Sequence, residues 1–426
     1  ENTHGKQKNI VVVDSRSTPP GLDTLADEFP QVTLYCGEFD EAVFMGAEQI
    51  IVSPGVSLKE TAIQHASTQG VEVIGDIELF SRHNQTPVIA VTGSNGKSTV
   101  VTLLGEMAKT AGINAQVGGN IGVPVLDLIH LNADLYILEL SSFQLESVQS
   151  LKPVAAAVLN VSPDHMDRYD SYDEYVNTKK HIYQHCQLAV INRDDPAVGV
   201  MQTGHKRVSG FTLNEPASTS TQGDFGVREF DHERWLCKGG HKLIAEASLK
   251  LSGQHNLANA LAALALGEAA GIALPDMLAT LARFSGLEHR TQWVAEKNHV
   301  NWINDSKGTN VGATVAALKG LKTDNKLILI AGGLAKDADF SVLKTALEKN
   351  TRTVILIGKD AVKIEQALQG CVPVFYARDM HEAVQIAQNL SHPGDTVLLS
   401  PACASFDMFS GFEHRGEIFI QAVEAL

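Results

Sequence analysis

Short apolar runs alternate with helix-like stretches along almost the whole chain. In the first part, Ile10–Val13, Ile50–Val52 and Val71–Ile74 are predicted strands, and each ends in a polar or Gly/Pro turn. Residues 58–69 lie between the last two strands and suit a crossover helix. This strand–helix–strand order predicts a parallel sheet with both faces covered.

A second series of the same kind begins at Pro87, where a strand, a Gly-rich turn and a helix follow one another. Its predicted strands are Val88–Val91, Leu135–Glu139 and Val154–Val161, and its predicted helices are about Lys97–Ala111 and Asn256–Ala270. Between about Arg207 and Lys250, polar and Gly-containing segments predict short antiparallel strands.

A third series fills the last part of the chain, with helical connections between its strands. Its predicted strands are Leu327–Ala331, Thr353–Ile357, Val372–Tyr376 and Thr396–Leu399. We therefore expect an α/β protein of three domains, with boundaries near residues 76 and 286: residues 1–75, 76–286 and 287–426. The length of 426 residues agrees with this expectation.

Composition excludes several classes of protein. Hydrophobic residues make up 44% of the chain and charged residues 19%, which excludes a disordered or fibrous chain. The formal net charge of −15 repels phosphate backbones, so we expect no sequence-independent nucleic-acid binding. The five cysteines have no CxxC spacing, which indicates reduced thiols in a reducing compartment and no zinc site.

We expect no membrane span and no signal peptide. The longest apolar helical stretch, Leu257–Ala282, is interrupted by Asn259, Glu268 and Asp276, which is typical of a packed helix pair. No apolar segment precedes Ile10. Together with the reduced thiols, these features predict a cytoplasmic protein.

The strongest chemical signal is Thr92-Gly-Ser-Asn-Gly-Lys-Ser-Thr99, placed between a strand and a helix. Such glycines let consecutive backbone N–H groups face one anion, and the helix dipole adds to the attraction. Lys97 then reaches the β- and γ-phosphates, and the Ser98 hydroxyl ligates Mg²⁺. A full Walker A motif has Gly where Val91 stands, so this loop is a shortened relative. The alternative is an ordinary Gly-rich turn.

Two further positions, Glu139 and His165, suggest metal chemistry near this loop. Glu139 ends a buried strand at the edge where α/β sites lie, although it could simply cap that strand. His165 follows another strand, and neutral imidazole is a good metal ligand. Taken alone, His165 is more typical of a surface turn, and Lys179 and Lys180 of a solvated helix face.

Polar loops also follow strands in the last part of the chain. His289-Arg290 precedes a strand-like segment, and Asn304–Asn310 combines short polar residues with Gly308. Gly332–Lys336 and Ser400–Phe406 each follow a strand. Loops at strand C-termini predict a binding edge on this domain, although each alone is compatible with a plain turn.

In combination, these motifs resemble the Mur ligase family of bacterial peptidoglycan synthesis. The resemblance covers nearly the whole chain and rests, in order, on TGSNGKST, ELSSFQLE, LNVSPDHMDRY, GQHNLANALAAL, GLEHR, INDSKGTN and SPACASFDMFSGFEHRG. The last two are similar to the D-glutamate-adding branch. Folate-polyglutamylating ligases share the phosphate loop and the layout, but their later motifs are not seen here.

The resemblance implies an N-terminal Rossmann-like domain for the UDP substrate, a central P-loop ATPase domain with a mainly parallel sheet, and a C-terminal Rossmann-like α/β domain for D-glutamate. Family members begin with a strand and a Gly-rich loop that contact UDP. Here the chain opens near the expected second strand, so we expect that first segment to be either absent or upstream of Glu1.

The resemblance also implies residue roles. The expected catalytic residues are Lys97, Glu139, His165, Lys179 and Arg290. The expected ATP-binding residues are Gly93, Ser94, Asn95, Gly96, Lys97, Ser98, Thr99, Asn256, Asn259, Arg290 and Asp305. The expected metal ligands are Ser98, Glu139, His165 and a carbamylated Lys179, with two Mg²⁺ ions. The expected UDP-substrate residues are Asp14, Ser15, Arg16, Ser53, Pro54, Gly55, Asn120 and Ser141, with Asn120 also near the phosphates. The expected D-glutamate residues are Lys307, Thr309, Lys336, Ser405 and Phe412.

The implied activity is ATP-dependent joining of D-glutamate to UDP-N-acetylmuramoyl-L-alanine through an acyl phosphate, by a monomeric enzyme. Two alternatives stay open from sequence. One is another ATP-dependent amide ligase, of the folate-polyglutamylating type. The other is a P-loop regulatory ATP-binding protein, which the DSKGTN and SPACAS loops disfavour because a switch needs no amino-acid pocket.

Overall fold

The computed structural model describes residues 9–202, 204–216, 224–251, 253–321, 325–335, 338–348 and 350–426. Within these ranges the strands form four sheets, and parallel pairing dominates. The α/β class predicted from the sequence is confirmed. No helix in this described part of the chain is both long and apolar enough to cross a membrane.

The N-terminal region contains two separate two-stranded parallel sheets. Its elements are β1 (Val11–Asp14), α1 (Leu22–Glu28), β2 (Thr33–Cys36), α2 (Glu41–Met45), β3 (Gln49–Val52), α3 (Thr61–Thr68) and β4 (Glu72–Gly75). Phe44, Ile50, Val52 and Ile63 form its small core. The sequence prediction missed β2, a strand of four residues that is apolar at Leu34, Tyr35 and Cys36 but buries none of its side chains.

The central region is built on a nine-stranded sheet with the order β13-β12-β11-β10-β9-β8-β5-β7-β6. Its strands are β5 (Val88–Thr92), β6 (Ala115–Gly119), β7 (Leu135–Glu139), β8 (Ala155–Val158), β9 (Ala189–Asn192), β10 (Val208–Phe211), β11 (Phe225–Phe230), β12 (Glu233–Lys238) and β13 (His241–Ala245). Strands β5, β7 and β8 are buried along their whole length, which explains their continuous apolar sequences.

Helices cover both faces of this sheet and create two core clusters. The helices are α4 (Asp76–His83), α5 (Lys97–Thr110), α6 (Val125–Leu128), α7 (Ser142–Leu145), α8 (Tyr172–Lys180), α9 (Pro196–Gly199), α10 (Gln254–Ala269) and α11 (Leu274–Arg283). Strands β11, β12 and β13 pair antiparallel as predicted, whereas β10 pairs parallel with β9. Strand β8 ends three residues earlier than predicted, at Val158.

The C-terminal region has a six-stranded sheet with the order β14-β15-β19-β16-β17-β18. Its strands are β14 (Gln292–Lys297), β15 (Val300–Asn304), β16 (Leu327–Gly332), β17 (Thr351–Ile357), β18 (Val374–Tyr376) and β19 (Thr396–Leu399). Its helices are α12 (Val311–Gly320), α13 (Ser341–Leu347), α14 (Ala361–Leu368), α15 (Met380–Leu390) and α16 (Phe412–Glu424). Only the β14–β15 hairpin among these described strands is antiparallel.

Candidate active site

The phosphate loop joins β5 to α5 at the carboxyl edge of the central sheet. Gly93 and Gly96 have φ angles of 154° and 85°, which favour glycine. A Cβ at Gly96 would also collide with the side-chain amide of Asn259. Lys97 folds back over the loop, where its Nζ donates to the carbonyl oxygens of Gly93 at 2.8 Å and Ser94 at 3.2 Å. The loop therefore holds a cation beside the N-terminus of α5.

The loop after β8 braces the phosphate loop from the side. Asn160 Oδ1 accepts from the Asn95 backbone N–H at 2.8 Å, and Asn160 Nδ2 donates to the Asn95 carbonyl at 3.0 Å. Ser94 Oγ accepts from the Ser162 N–H at 3.0 Å. The sequence prediction assigned no role to Asn160, and its only signal was its place in the LNVSPDHMDRY motif. These bonds make the two loops one structural unit.

Helix α10 begins beside the same loop. Asn256 and Asn259, both buried, lie one turn apart on it, and Asn259 Nδ2 is 3.4 Å from Asn256 Oδ1. Because Asn259 also lies against Gly96, the structure brings these two expected ATP-binding asparagines to the phosphate loop. Ser98 and Thr99, in the first turn of α5, are buried beneath the loop.

Glu139 ends β7, the strand paired with β5, and is only 3% exposed. Its Oε1 accepts a hydrogen bond from Asn120 Nδ2 at 2.9 Å. Its Oε2 is buried without a hydrogen-bond partner among the described residues. An orphaned buried carboxylate oxygen is costly unless it meets a cation, so Glu139 fits a Mg²⁺ ligand. Asn120 therefore lies at the phosphate site.

Lys179 lies on α8 and is 2% exposed, whereas its neighbour Lys180 is exposed. Lys179 Nζ donates to the Gly93 carbonyl at 3.2 Å and lies 4.6 Å from the ring centroid of Tyr175. Burial, and then the nearby Lys97 cation, hold the pKa of Lys179 well below its ordinary value. A neutral amine beside the phosphate loop is the form that reacts with CO₂ to give a carbamate.

His165 lies in the loop after β8 in a left-handed conformation, with φ of 57°. Its ring centroid is 4.8 Å from that of Phe143, and its Nε2 is 3.7 Å from Asp164 Oδ2. In the described ranges no three His, Cys, Asp or Glu side chains group into a metal cage. Mg²⁺ in proteins is usually bound by one or two carboxylates together with phosphate oxygens of the substrate. The predicted ligands fit Mg²⁺ only in this manner, with substrate phosphate oxygens completing the coordination shell.

The C-terminal region contributes two charged groups, the half-buried Arg290 and the buried Asp305. Arg290 Nη2 donates to Ser98 Oγ at 2.7 Å, and burial lowers the pKa of this guanidinium. Asp305 accepts from Ser400 Oγ at 2.7 Å and from the Thr291 N–H at 3.1 Å. Burial raises the pKa of Asp305 to about 6. The structure thus brings Arg290 to Ser98, in the first turn of the helix that follows the phosphate loop.

The predicted D-glutamate residues are partly brought together. Lys307 Nζ lies 3.7 Å from the ring centroid of Phe412, and burial, followed by the charge of Arg290, lowers the pKa of Lys307 to about 8. Thr309 follows in the same loop, and Ser405 is buried in the loop after β19. Lys336 lies outside the described residues.

Arg415, which the sequence prediction missed, connects these loops. It is fully buried on α16, and its guanidinium donates to Ser306 Oγ at 3.0 Å, the Ser306 carbonyl at 2.7 Å and the Cys403 carbonyl at 3.1 Å. Its place in the FEHRG segment was the only signal. Arg415 therefore fixes the DSKGTN loop against the SPACAS loop.

Of the predicted UDP-substrate residues, Asp14–Arg16 and Ser53–Gly55 lie at the carboxyl ends of N-terminal strands. Asp14 at the end of β1 forms an exposed ion pair with Arg16, at 2.6 Å, beside Ser15. The segment Ser53–Gly55 follows β3, and Ser53 and Pro54 line a small cleft with Phe143 and Gln144. Ser141 caps α7, where its Oγ accepts from the Gln144 N–H at 3.2 Å. Asn120, in contrast, is part of the phosphate site.

Comparison with known proteins gives consistent similarities over all three regions. Residues 3–75 match the Mur ligase MurD-like N-terminal domain, residues 91–267 the Mur ligase middle domain, and residues 289–403 the Mur ligase glutamate ligase domain. The chain is 51% identical to UDP-N-acetylmuramoylalanine–D-glutamate ligase of Nitrosococcus oceani over 98% of this chain and 92% of that protein. It is 49% identical to the protein of that name in Marinobacter nauticus, over 99% and 94%.

Solved structures share the fold at low sequence identity. A pseudomurein peptide ligase type C from Methanothermus fervidus has a TM-score of 0.63 and 18% identity, covering 97% of this chain and 94% of that one. UDP-N-acetylmuramate–alanine ligase from Thermotoga maritima has a TM-score of 0.60 and 18% identity, covering 98% and 99%. At 18% sequence identity, these two structures show only that the three-region fold is shared.

Proposed function

Because the chain belongs to the Mur ligase family, we propose that it joins D-glutamate to UDP-N-acetylmuramoyl-L-alanine at the expense of ATP, in peptidoglycan precursor synthesis. The observation that carries this function is the near-full-length identity of 51% and 49% with relatives bearing that ligase name. The geometry supports it, since a phosphate loop faces a second α/β region that offers the half-buried cations Arg290 and Lys307.

We assign the first step to the phosphate loop. The L-alanyl carboxylate attacks the γ-phosphorus of ATP, ADP leaves, and an acyl phosphate forms. Both reactants are anions, so the cations of Lys97 and Arg290 are needed to offset their repulsion. Bound Mg²⁺, held by Glu139, Ser98, His165 and a carbamylated Lys179, would neutralise developing phosphate charge. The orphaned Glu139 Oε2 and the buried Lys179 amine support this ligand set.

We assign the second step to the C-terminal region. The amine of D-glutamate attacks the acyl carbon, and the tetrahedral intermediate collapses to the amide and phosphate. Lys307, Thr309, Lys336, Ser405 and Phe412 are proposed to hold D-glutamate, and the Lys307–Phe412 contact and the buried cation Arg415 support this placement. The ammonium must first lose a proton, which we assign to a neighbouring carboxylate, because a His165 imidazole that binds Mg²⁺ has no free lone pair.

The nucleotide ends of the substrates define the remaining proposed contacts. Asn256 and Asn259 are proposed to face adenine and Asp305 the ribose, with Gly93–Thr99 around the phosphates. Asp14–Arg16, Ser53–Gly55 and Ser141 are proposed to face the UDP substrate, with Asn120 between the two sites. We propose a monomer acting in the cytoplasm, because all of these groups belong to one chain and its relatives use a UDP-linked precursor.

A phosphate-release assay tests the function. The protein is incubated with ATP, Mg²⁺ and UDP-N-acetylmuramoyl-L-alanine, with and without D-glutamate, and in parallel with a folate and L-glutamate. We expect phosphate release that depends on D-glutamate and on the UDP substrate. Release only with the folate pair would identify a polyglutamylating ligase instead. Nucleotide binding without substrate-stimulated release would identify a regulatory protein.

A further inference from the structure

Asn310 lies where the central and C-terminal regions meet, and neither the motif assignments nor the mechanism uses it. It directly follows Thr309 in the proposed D-glutamate loop and is the N-cap of α12. Its Oδ1 accepts from the Ala313 N–H at 2.8 Å, and the side chain is 8% exposed. Because an amide is planar, fixing Oδ1 on the helix also fixes the direction of Nδ2.

The Nδ2 group of Asn310 points across the boundary between the regions. It lies 3.3 Å from Asn95 Oδ1 and 3.2 Å from Asp164 Oδ2, and Asn95 Nδ2 lies 3.5 Å from Asn310 Oδ1. Asn95 is in the phosphate loop, and Asp164 precedes His165 in the loop after β8. One side chain therefore contacts both halves of the unit that Asn160 holds together.

A close backbone approach supports the same contact. Gly312, in the first turn of α12, packs against Ser162 of the loop after β8, and a Cβ at this position would lie 2.7 Å from Ser162 Oγ. Glycine inside a helix is destabilising relative to alanine. The glycine is explained by the need for α12 to approach this loop closely.

We propose that Asn310 is a positioning residue that fixes the D-glutamate loop against the phosphate loop, so that D-glutamate binding depends on the docking of the two regions. The proposal rests on the proposed function for the identity of its amino-acid substrate. The contact itself is independent of that identity. Loss of one hydrogen bond to a charged partner such as Asp164 corresponds to about a 10-fold effect or more on binding.

Asn310→Asp separates this role from helix capping. Aspartate is an equally good N-cap, so the thermal midpoint should change little. The second carboxylate oxygen, however, would replace the donor and face Asp164 and Asn95 Oδ1. We expect the KM for D-glutamate to rise about 10-fold or more, with the Kd for AMP-PNP and Mg²⁺ changing less than about 3-fold.

Two further variants complete the design. Gly312→Ala should also raise the KM for D-glutamate, while its better helix propensity keeps the thermal midpoint at or above that of the parent. Asp379→Ala removes an N-cap of the same region, at α15, and should lower only the thermal midpoint. Small-angle scattering with AMP-PNP should show a larger radius of gyration for Asn310→Asp and Gly312→Ala than for the parent.

The outcomes are distinct. If Asn310→Asp keeps the parent KM and scattering profile, Asn310 is only a helix cap and the inference is wrong. If the parent protein does not use D-glutamate, the proposed function fails. The scattering comparison between the parent and the two interface variants then still decides whether this contact docks the two regions.

Discussion

Arg290 Nη2 donates a hydrogen bond to Ser98 Oγ across 2.7 Å, although 192 positions separate the two residues. Arg290 lies just before the first strand of the C-terminal sheet, and Ser98 lies in the first turn of α5. The bond places a half-buried guanidinium at the phosphate loop. The loop therefore belongs to an active site that two regions build together.

Replacing Lys97 with Ala should reduce turnover by about 100-fold or more, the scale expected when one preorganised electrostatic contact to the transition state is lost. Lys97 Nζ lies on the phosphate loop, bonded to the Gly93 and Ser94 carbonyls. Phosphate release under saturating substrates measures the effect. Lys109→Ala, at the exposed far end of the same helix, is the control and should retain parent activity. Near-normal activity of Lys97→Ala would place the phosphate site elsewhere.

Replacing Gly96 with Ala should abolish measurable nucleotide binding. The residue has φ of 85°, and an added Cβ would displace Asn259. Gly112→Ala is a matched control, because Gly112 also has positive φ, 73°, near the other end of α5, but has open space around its Cα. Both variants should lose about 1–2 kcal/mol of unfolding free energy from backbone strain. Calorimetric titration with ADP should detect binding only for Gly112→Ala, and equal binding by both would contradict the site.

Replacing Lys179 with Ala should leave poor activity that acetate or formate partly restores, because a small carboxylate can occupy the place of the proposed carbamate. Lys180→Ala should behave nearly like the parent, since Lys180 is exposed while Lys179 is 2% exposed. Mass spectrometry of the native protein with ¹³CO₂ should show label trapped on Lys179. If Lys179→Ala is fully active, or if Lys180→Ala is the only inactive variant, the assignment of the carbamate to Lys179 is wrong.

Nucleotide affinity should fall as the pH falls through about 6. Burial raises the pKa of Asp305 to about 6, so at lower pH the carboxyl is protonated and loses acceptor capacity for the proposed ribose hydroxyls. The raised pKa also affects the free energy of unfolding, because the folded protein binds this proton more tightly than the unfolded chain, in which the pKa is near 4. The resulting stabilisation is fully present below pH 4 and is lost as the pH rises through 6.

The measurement is ADP titration between pH 5 and 8 for the parent and Asp305→Asn. The variant should bind ADP weakly with no inflection near pH 6, and its stability should not decline over the interval in which the parent carboxyl ionises. An unchanged inflection in Asp305→Asn would assign the titration to another group.

The phosphate loop could be predicted from the sequence because its chemistry is local. Gly93, Gly96 and Lys97 lie within five consecutive residues, and the strand and helix around them carry continuous apolar patterns. The same reason made the buried strands β5, β7 and β8 predictable, although β9, which is equally buried, was missed. β2 was also missed, because it has only four residues and buries none of its side chains.

The α/β class, the phosphate loop and the family could be predicted from the sequence, since each depends on the order of neighbouring residues. Which groups meet depends on the tertiary structure. It buries Lys179 and exposes Lys180, places Asn120 Nδ2 2.9 Å from Glu139 Oε1, and aligns Asn310 with Asn95 and Asp164. Such contacts join residues up to 215 positions apart. Their distances and their desolvation arise from packing between sheets and helices, which no local spacing encodes.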